Sequence, residues 1–198
     1  LPHFHLTLGI PSDFMRAAEN DSLYSLINPR SREMVRKVKA KRLLKKISEN
    51  LFNECEPDIV FTDRFQTQNP LMRLGEMDGI DPCSGQAMFA YEACYWGHIN
   101  LANMADDKNI FWEKLKKTIH QAIHFLDNVI ETSHSPMPDI DTVSKKNRKI
   151  ALGIMGWSEL LIQLGLPYAS QEAEGLATHL MSFFQTEAQA ASVALAQK

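Results

Sequence analysis

The chain has 198 residues, 44% hydrophobic and 23% charged, a make-up that excludes a disordered chain and fits a globular domain with its own core. A net charge of −3 excludes the strongly basic balance of a nucleic-acid binder. No apolar run approaches the ~20 residues of a membrane span, no leader segment opens the chain, and three cysteines do not make a disulfide framework, so a reducing, cytoplasmic setting is expected.

In chain order, Phe4 to Ile10 reads as a strand ended by Pro11, with His3 and His5 on a solvated face in preference to a metal pair. Ser12 is the expected N-cap of a short helix through Glu19, and Asn28-Pro29-Arg30-Ser31 is a turn. From Val38 a helix is predicted, with Leu43, Leu44, Ile47 and Leu51 on one face. Its basic run, Arg36, Lys37, Lys39, Lys41, Arg42, Lys45 and Lys46, reads as a solvated helix face in preference to a phosphate site. Asp58 to Asp63 is a second strand, and Ala90 to Leu101 a third extended segment. Trp112 to Ile130 is the clearest helix, its apolar positions Leu115, Ile119, Ala122, Ile123, Leu126 and Ile130 following helical spacing. Pro136-Met137-Pro138 breaks it. A further helix is predicted over Lys145 to Leu164, containing Gly153 and Gly156 and closed by Gly165. Ser170 caps a last helix toward Ala196, with Leu180, Phe183 and Phe184 as packing residues. The nine methionines read as core filler. Strands alternating with helices predict an α/β fold with mainly parallel pairing, without repeats or a domain boundary.

The chemistry-bearing stretch is Gly79-Ile80-Asp81-Pro82-Cys83-Ser84-Gly85-Gln86, followed by Tyr91-Glu92-Ala93-Cys94 and Gly97-His98-Ile99-Asn100-Leu101. Cys83 sits in a tight turn and Cys94 on an apolar extended segment; taken alone, each is more simply a buried or incidental thiol. No CxxC pair exists, and a metal site is not expected.

These segments resemble the radical loop of the ribonucleotide reductase large subunits, closest to the adenosylcobalamin-dependent class II branch. There the loop reads Asn-Pro-Cys-Gly-Glu-Gln, and Cys-Asn-Leu-Gly-Ser-Ile-Asn-Leu follows at this spacing. Further segments resemble the family's wording: Leu26 to Arg30, Asp63-Arg64-Phe65 with Asn69-Pro70, Phe125 to Ile130, Asn147 to Gly156, and Leu164 to Tyr168. The resemblance implies a single partial catalytic domain over 1–198, part of a ten-stranded α/β barrel whose upstream and downstream portions are absent. It also implies reduction of ribonucleoside di- or triphosphates to 2′-deoxyribonucleotides for DNA synthesis, by thiyl-radical chemistry.

By position Cys83 matches the thiyl site and Cys94 one member of the reducing pair, whose other member lies upstream of Leu1; Cys55 does not match it. Asp81, Pro82, Ser84 and Gly85 are the implied substrate contacts. Two departures stand out: Asp81 occupies the Asn position and Gly85 the position of the catalytic Glu. Asp81 is a candidate replacement base. The expectation is a chain inactive by itself. The alternative is a non-catalytic nucleotide-binding or reductase-associating protein derived from that fold. Adenosylcobalamin is implied by the branch alone, the class I relatives with a metal-containing partner subunit being the less favoured variant. Implied partners are ribonucleotide substrate, nucleotide effector, and the rest of the barrel or a reductase subunit. A homodimer is left open, and neither nucleic acid nor membrane is expected.

Overall fold

A computed structural model describes residues 5–81 and 85–197, in two compact units, Leu1–Ala90 and Tyr91–Lys198, each treated by itself. His3, Phe4, Pro82, Cys83 and Ser84 lie outside the described residues.

In the first unit, β1 (Thr7–Ile10) pairs in parallel with β4 (Asp58–Phe61), Thr7 opposite Asp58 and Ile10 opposite Phe61. Between them come α1 (Ser12–Glu19), an antiparallel hairpin of β2 (Leu23–Ile27) and β3 (Met34–Lys39), and α2 (Ala40–Glu54). Helix α3 (Thr62–Thr67) follows β4 directly. The core of this unit gathers Ile10, Phe14, Ala18, Ala40 and Ile47. The expected strand at β1 and the helix after it are both present, but Ser12 is not the cap. It is the first helical residue, and its backbone N–H donates to Asp63 Oδ2 at 2.6 Å. That hydrogen bond, followed by one from the Ser12 side chain, holds the Asp63 carboxyl below its ordinary range.

The basic run divides between two elements. Arg36, Lys37 and Lys39 belong to strand β3, and only Lys41 onward is helical. The turn at 28–31 joins the hairpin, where Asn28 Oδ1 accepts from the N–H of Arg30 at 2.8 Å and of Ser31 at 3.3 Å. Downstream, a short 3₁₀ turn at Met72–Leu74 leads to a small hairpin, β5 (Gly79–Ile80) and β6 (Ala87–Met88).

The second unit is built on β7 (Tyr95–Asn100) and β10 (Ile150–Met155), parallel over six residues, Tyr95 opposite Ile150 and Asn100 opposite Met155. Between them lie a 3₁₀ turn at Leu101–Met104, the short hairpin β8 (Ala105–Asp106) with β9 (Asn109–Ile110), α4 (Trp112–Thr132) and α5 (Pro138–Asn147). Helices α6 (Trp157–Leu164) and α7 (Gln171–Ala196) complete it. The α4 stripe is buried as its spacing predicts: Leu115, Ile119 and Ile123 join the core cluster, Leu126 and Ile130 are buried as well, and Ala122 is partly buried. Five such side chains contribute on the order of 10 kcal/mol before chain entropy is subtracted. Ser170 caps α7, its hydroxyl accepting from the N–H of Ala173 at 3.1 Å.

The single helix predicted over 145–164 is instead three elements: the end of α5, strand β10 and helix α6. The two glycines mark the change. At Gly153 a Cβ would come within 2.8 Å of the His98 ring across the strand pair. Gly156 has φ +74°, and a Cβ there would lie 2.2 Å from Asn100 Oδ1. The methionines are not chiefly core filler. Met77 and Met104 are buried, whereas Met34, Met72, Met137, Met155 and Met181 are exposed.

Both parallel pairs join strands separated by helices, giving an α/β architecture, and the three antiparallel pairs are local hairpins. The described residues form two-stranded sheets and no closed barrel.

Candidate functional site

Two segments carry the predicted site residues, one in each unit. The first is the turn between β5 and β6. Ile80 faces Ala87 in the last ladder pair, and Asp81 closes the next rung twice. Its N–H donates to the Gln86 carbonyl at 3.0 Å, and its Oδ1 accepts from the Gln86 N–H at 2.5 Å. Both backbone groups of Gln86 are therefore bound by Asp81, which is only 3% exposed. At the open end, Asp78 donates its N–H to the Met88 carbonyl at 2.9 Å and accepts from the Ala90 N–H through Oδ2 at 3.1 Å. Pro82, Cys83 and Ser84 lie outside the described residues.

Gly85 is described, and a Cβ there would sit 3.9 and 4.0 Å from the two Asp81 carboxylate oxygens, ordinary contact distances. A side chain at 85 thus begins beside the carboxylate of Asp81.

The approach to this hairpin is braced by two amides from the Asp63 to Pro70 segment. Gln66 binds both backbone groups of Met77, Nε2 donating to its carbonyl at 2.7 Å and Oε1 accepting its N–H at 3.1 Å. Asn69, 3% exposed, donates to the Gly75 carbonyl at 3.1 Å and accepts from the Leu71 N–H at 2.8 Å. Beside β5, His5, Thr7, Thr62, Phe65 and Asp78 line an open recess of about 350 Å³. The His5 ring itself lies 3.1 Å from Asp58 Oδ2.

The second segment is Tyr91 to His98. The Glu92 side chain is fully buried; Oε1 accepts from Asn147 Nδ2 at 2.9 Å, and Oε2 is paired with the Lys149 ammonium. Next to it the Ala93 N–H donates to the buried Ser144 hydroxyl at 3.3 Å. Arg148 adopts a left-handed conformation (φ +48°) at the end of α5 and turns its guanidinium onto α4. It donates to Asp127 Oδ1 at 2.7 Å, the Asp127 carbonyl at 3.1 Å and Glu131 Oε2 at 3.0 Å. Hydrogen bonds from these two carboxylates hold the Arg148 guanidinium charged well above its usual range. Asn147, Arg148 and Lys149 thus fasten the chain just before Cys94 on one side and α4 on the other.

Cys94 is half-buried, its sulfur against the indole nitrogen of Trp96. The two-residue period of β7 carries Trp96 and His98 to one face, ring centroids 6.0 Å apart, while Gly97 and Ile99 pack toward α4 and the core. Asp81 and Gly85 are brought together within the first unit, and Cys94 is held in the second. Sequence reasoning did not single out Glu92, Trp96, Ser144, Asn147 or Lys149 as site residues. For Glu92, Asn147 and Lys149 the available signal was their place inside the quoted segments Tyr91 to Cys94 and Asn147 to Gly156; Trp96 and Ser144 lie outside every quoted segment. Among the described residues no group of three or more His, Cys, Asp and Glu side chains is arranged to hold a metal ion, and no helix is long and apolar enough to cross a membrane.

The chain matches the family described as "Ribonucleotide reductase, barrel domain" along residues 1–198. It is 39% identical over its full length to a "Vitamin B12-dependent ribonucleoside-diphosphate reductase" of Mycobacterium tuberculosis (strain CDC 1551 / Oshkosh), covering 29% of that protein. An enzyme with the same description from Thermoplasma acidophilum is 34% identical, again over the whole chain, which covers 26% of it. A "Ribonucleoside-diphosphate reductase subunit alpha" of Chlamydia pneumoniae is 32% identical over 71% of the chain and 14% of the relative. The chain therefore spans less than a third of the length of these relatives.

Proposed function

The chain belongs to the ribonucleotide reductase barrel-domain family, among relatives described as vitamin B12-dependent, and from that premise we propose that it forms one part of a catalytic barrel reducing ribonucleoside diphosphates. The observation that carries the reading is the family match along all 198 residues with a cysteine retained at both 83 and 94. In the proposed reaction a thiyl radical at Cys83 takes the 3′ hydrogen atom of the ribose, forming an S–H bond and leaving a radical on carbon. The 2′-hydroxyl departs as water. Cys94 and a second cysteine outside this chain supply two electrons and two protons, one proton to the departing hydroxyl and one to the 2′ carbon, and become a disulfide. The hydrogen returns to the 3′ carbon, and the Cys83 radical is restored. Asp81, Pro82, Ser84 and Gly85 would line the substrate side of the loop.

The relatives' descriptions imply adenosylcobalamin as the radical source, but the described residues do not form its seat. One groove of about 620 Å³ between α4, β10 and α7 is open and lined by Ile150, Leu152, Met181 and Phe184 with neutral polar side chains. A second reading, a nucleotide-binding member without turnover, is favoured by two specific observations. Gly85 has no side chain to move a proton, and the Asp81 carboxylate is engaged in closing the hairpin.

The test uses the complete protein with adenosylcobalamin, a dithiol reductant and cytidine diphosphate as probe. Formation of deoxycytidine diphosphate that is abolished in Cys83→Ser and Cys94→Ser supports the enzyme. Probe binding without product, unaffected by alkylation of both cysteines, supports the second reading and overturns the first.

A further inference from the structure

We infer that Glu92 is a positioning residue for Cys94: bound to Asn147 and Lys149, it fixes the chain so that the thiol stands where the reduction step needs it. The bearing on turnover rests on the reading of Cys94 as a member of the reducing pair; the fastening of the segment does not.

The residues on either side of Cys94 are all held by one stretch of chain. Glu92 Oε1 accepts from Asn147 Nδ2 at 2.9 Å, and its other oxygen pairs with the Lys149 ammonium. The Ala93 N–H donates to the hydroxyl of Ser144, itself 2% exposed. Beyond the thiol, Tyr95 stands opposite Ile150 in the first pair of the β7–β10 ladder. Residues 92, 93 and 95 are thus fixed to 144–150, and Cys94 is the residue between them. That stretch is anchored in turn, because Arg148 within it holds Asp127 and Glu131 on α4.

Stability alone does not account for a carboxylate enclosed there. Well-packed apolar side chains in place of a buried ion pair are often neutral or stabilising. What the polar set adds is direction, since a hydrogen bond fixes distance and angle where an apolar contact permits sliding. A reacting group needs that precision: a displacement of about 1 Å can cost ~10²-fold in rate. In the proposed reaction Cys83 takes the 3′ hydrogen before Cys94 acts, so a displaced Cys94 slows the second step and leaves the first. The hydrogen then held on Cys83 sulfur exchanges as a proton, one for one, with water. Label from the 3′ position therefore reaches water without product, and no electron is transferred in the exchange.

The test uses the complete protein with adenosylcobalamin, a dithiol reductant and cytidine diphosphate tritiated at the 3′ position. Two double variants are compared. Glu92→Gln with Lys149→Met keeps an acceptor for the Asn147 amide, whereas Glu92→Leu with Lys149→Met fills the space and removes it. The readout is the ratio of tritium released to deoxycytidine diphosphate formed. It should stay near the parent's in the Gln variant and rise roughly ten-fold or more in the Leu variant. A merely structural role lowers release and product together as folded protein is lost, so equal ratios in the two variants overturn the inference. A second measurement needs no turnover: amide hydrogen exchange of the 91–95 peptide, read by mass spectrometry, should quicken about ten-fold in the Leu variant relative to the Gln variant. Equal exchange overturns the inference as well. Cys94→Ser separates this from the larger reading. If that variant still forms product as the parent does, the role of Cys94 falls, and the fastening by Glu92 stands or falls on the exchange measurement. If it is inactive while the two double variants give equal ratios, the reading of Cys94 stands and the role of Glu92 falls.

Discussion

Replacing Lys149 with Met asks how firmly the approach to Cys94 is fastened. The Glu92 side chain is 0% exposed and that of Lys149 13% exposed, so the substitution strands a carboxylate that water does not reach. Breaking a buried pair by removing one partner costs about 3–5 kcal/mol. The lower end applies, because the Asn147 amide still donates to Glu92 at 2.9 Å and Lys149 is not wholly buried. At roughly 2–4 °C per kcal/mol for a chain of this size, ~3 kcal/mol lowers the melting temperature by about 6–12 °C. The assay is tryptophan fluorescence. Trp96, Trp112 and Trp157 are all in the second unit, so the signal from this chain follows that unit alone. The double variant Glu92→Gln with Lys149→Met removes both charges and keeps an acceptor for Asn147, and it should return to within about 1 kcal/mol of the parent. A single variant melting within about 2 °C of the parent would refute the reasoning, as would a double variant as unstable as the single.

Three further outcomes are expected. Asp63, held low by Ser12, has a folded-state value below its unfolded one, so its contribution is present above about pH 3.9 and lost as pH falls through the lower folded value; amide exchange at Ser12 should stay protected below pH 3.9 in the parent and lose that protection in Asp63→Ala at every pH. Gly156→Ala meets both a positive φ and Asn100 Oδ1, whereas Gly165→Ala meets a positive φ and open space. The first should cost at least ~2 kcal/mol more than the second in the fluorescence melt, and equal costs would remove the collision argument. Gly85→Glu alone sets a second carboxylate beside Asp81, whereas Gly85→Glu with Asp81→Asn rebuilds the family's loop and keeps an oxygen for the Gln86 N–H. In the complete protein the pair should raise nucleotide reduction by ~10²–10⁴ over the parent; no gain would mean that the altered loop is not what limits it.

What the sequence discloses depends on how far away the partners lie. Helix α4 was legible because its five buried residues repeat every three or four positions, a signal carried within one turn of helix. Strand β10 was not. Ile150 to Met155 is a short apolar run, and such runs do not distinguish strand from helix; its partner β7 lies about fifty residues earlier. The two glycines so close together were the contrary evidence, since each weakens a helix by ~1 kcal/mol. The β2–β3 hairpin was obscured by Arg36, Lys37 and Lys39, whose charge suggested continuity with the helix that follows. At the site, Asp81, Gly85 and Cys94 came from motif resemblance. Glu92, Trp96 and Lys149 needed geometry, because what matters at each is a partner rather than its own residue type.

The parallel pairing of β7 with β10 also sets an order of events during synthesis. Cys94 leaves the ribosome ahead of the strand that β7 pairs with, and that strand is complete only at Met155, about sixty residues later. At 5–20 residues per second the interval is roughly 3–12 s. The Glu92 clamp needs Asn147 and Lys149, so it closes within the same interval. During those seconds the chain on either side of the nascent thiol has neither the clamp on Glu92 nor the strand that pairs with β7, and the thiol is then at its least shielded.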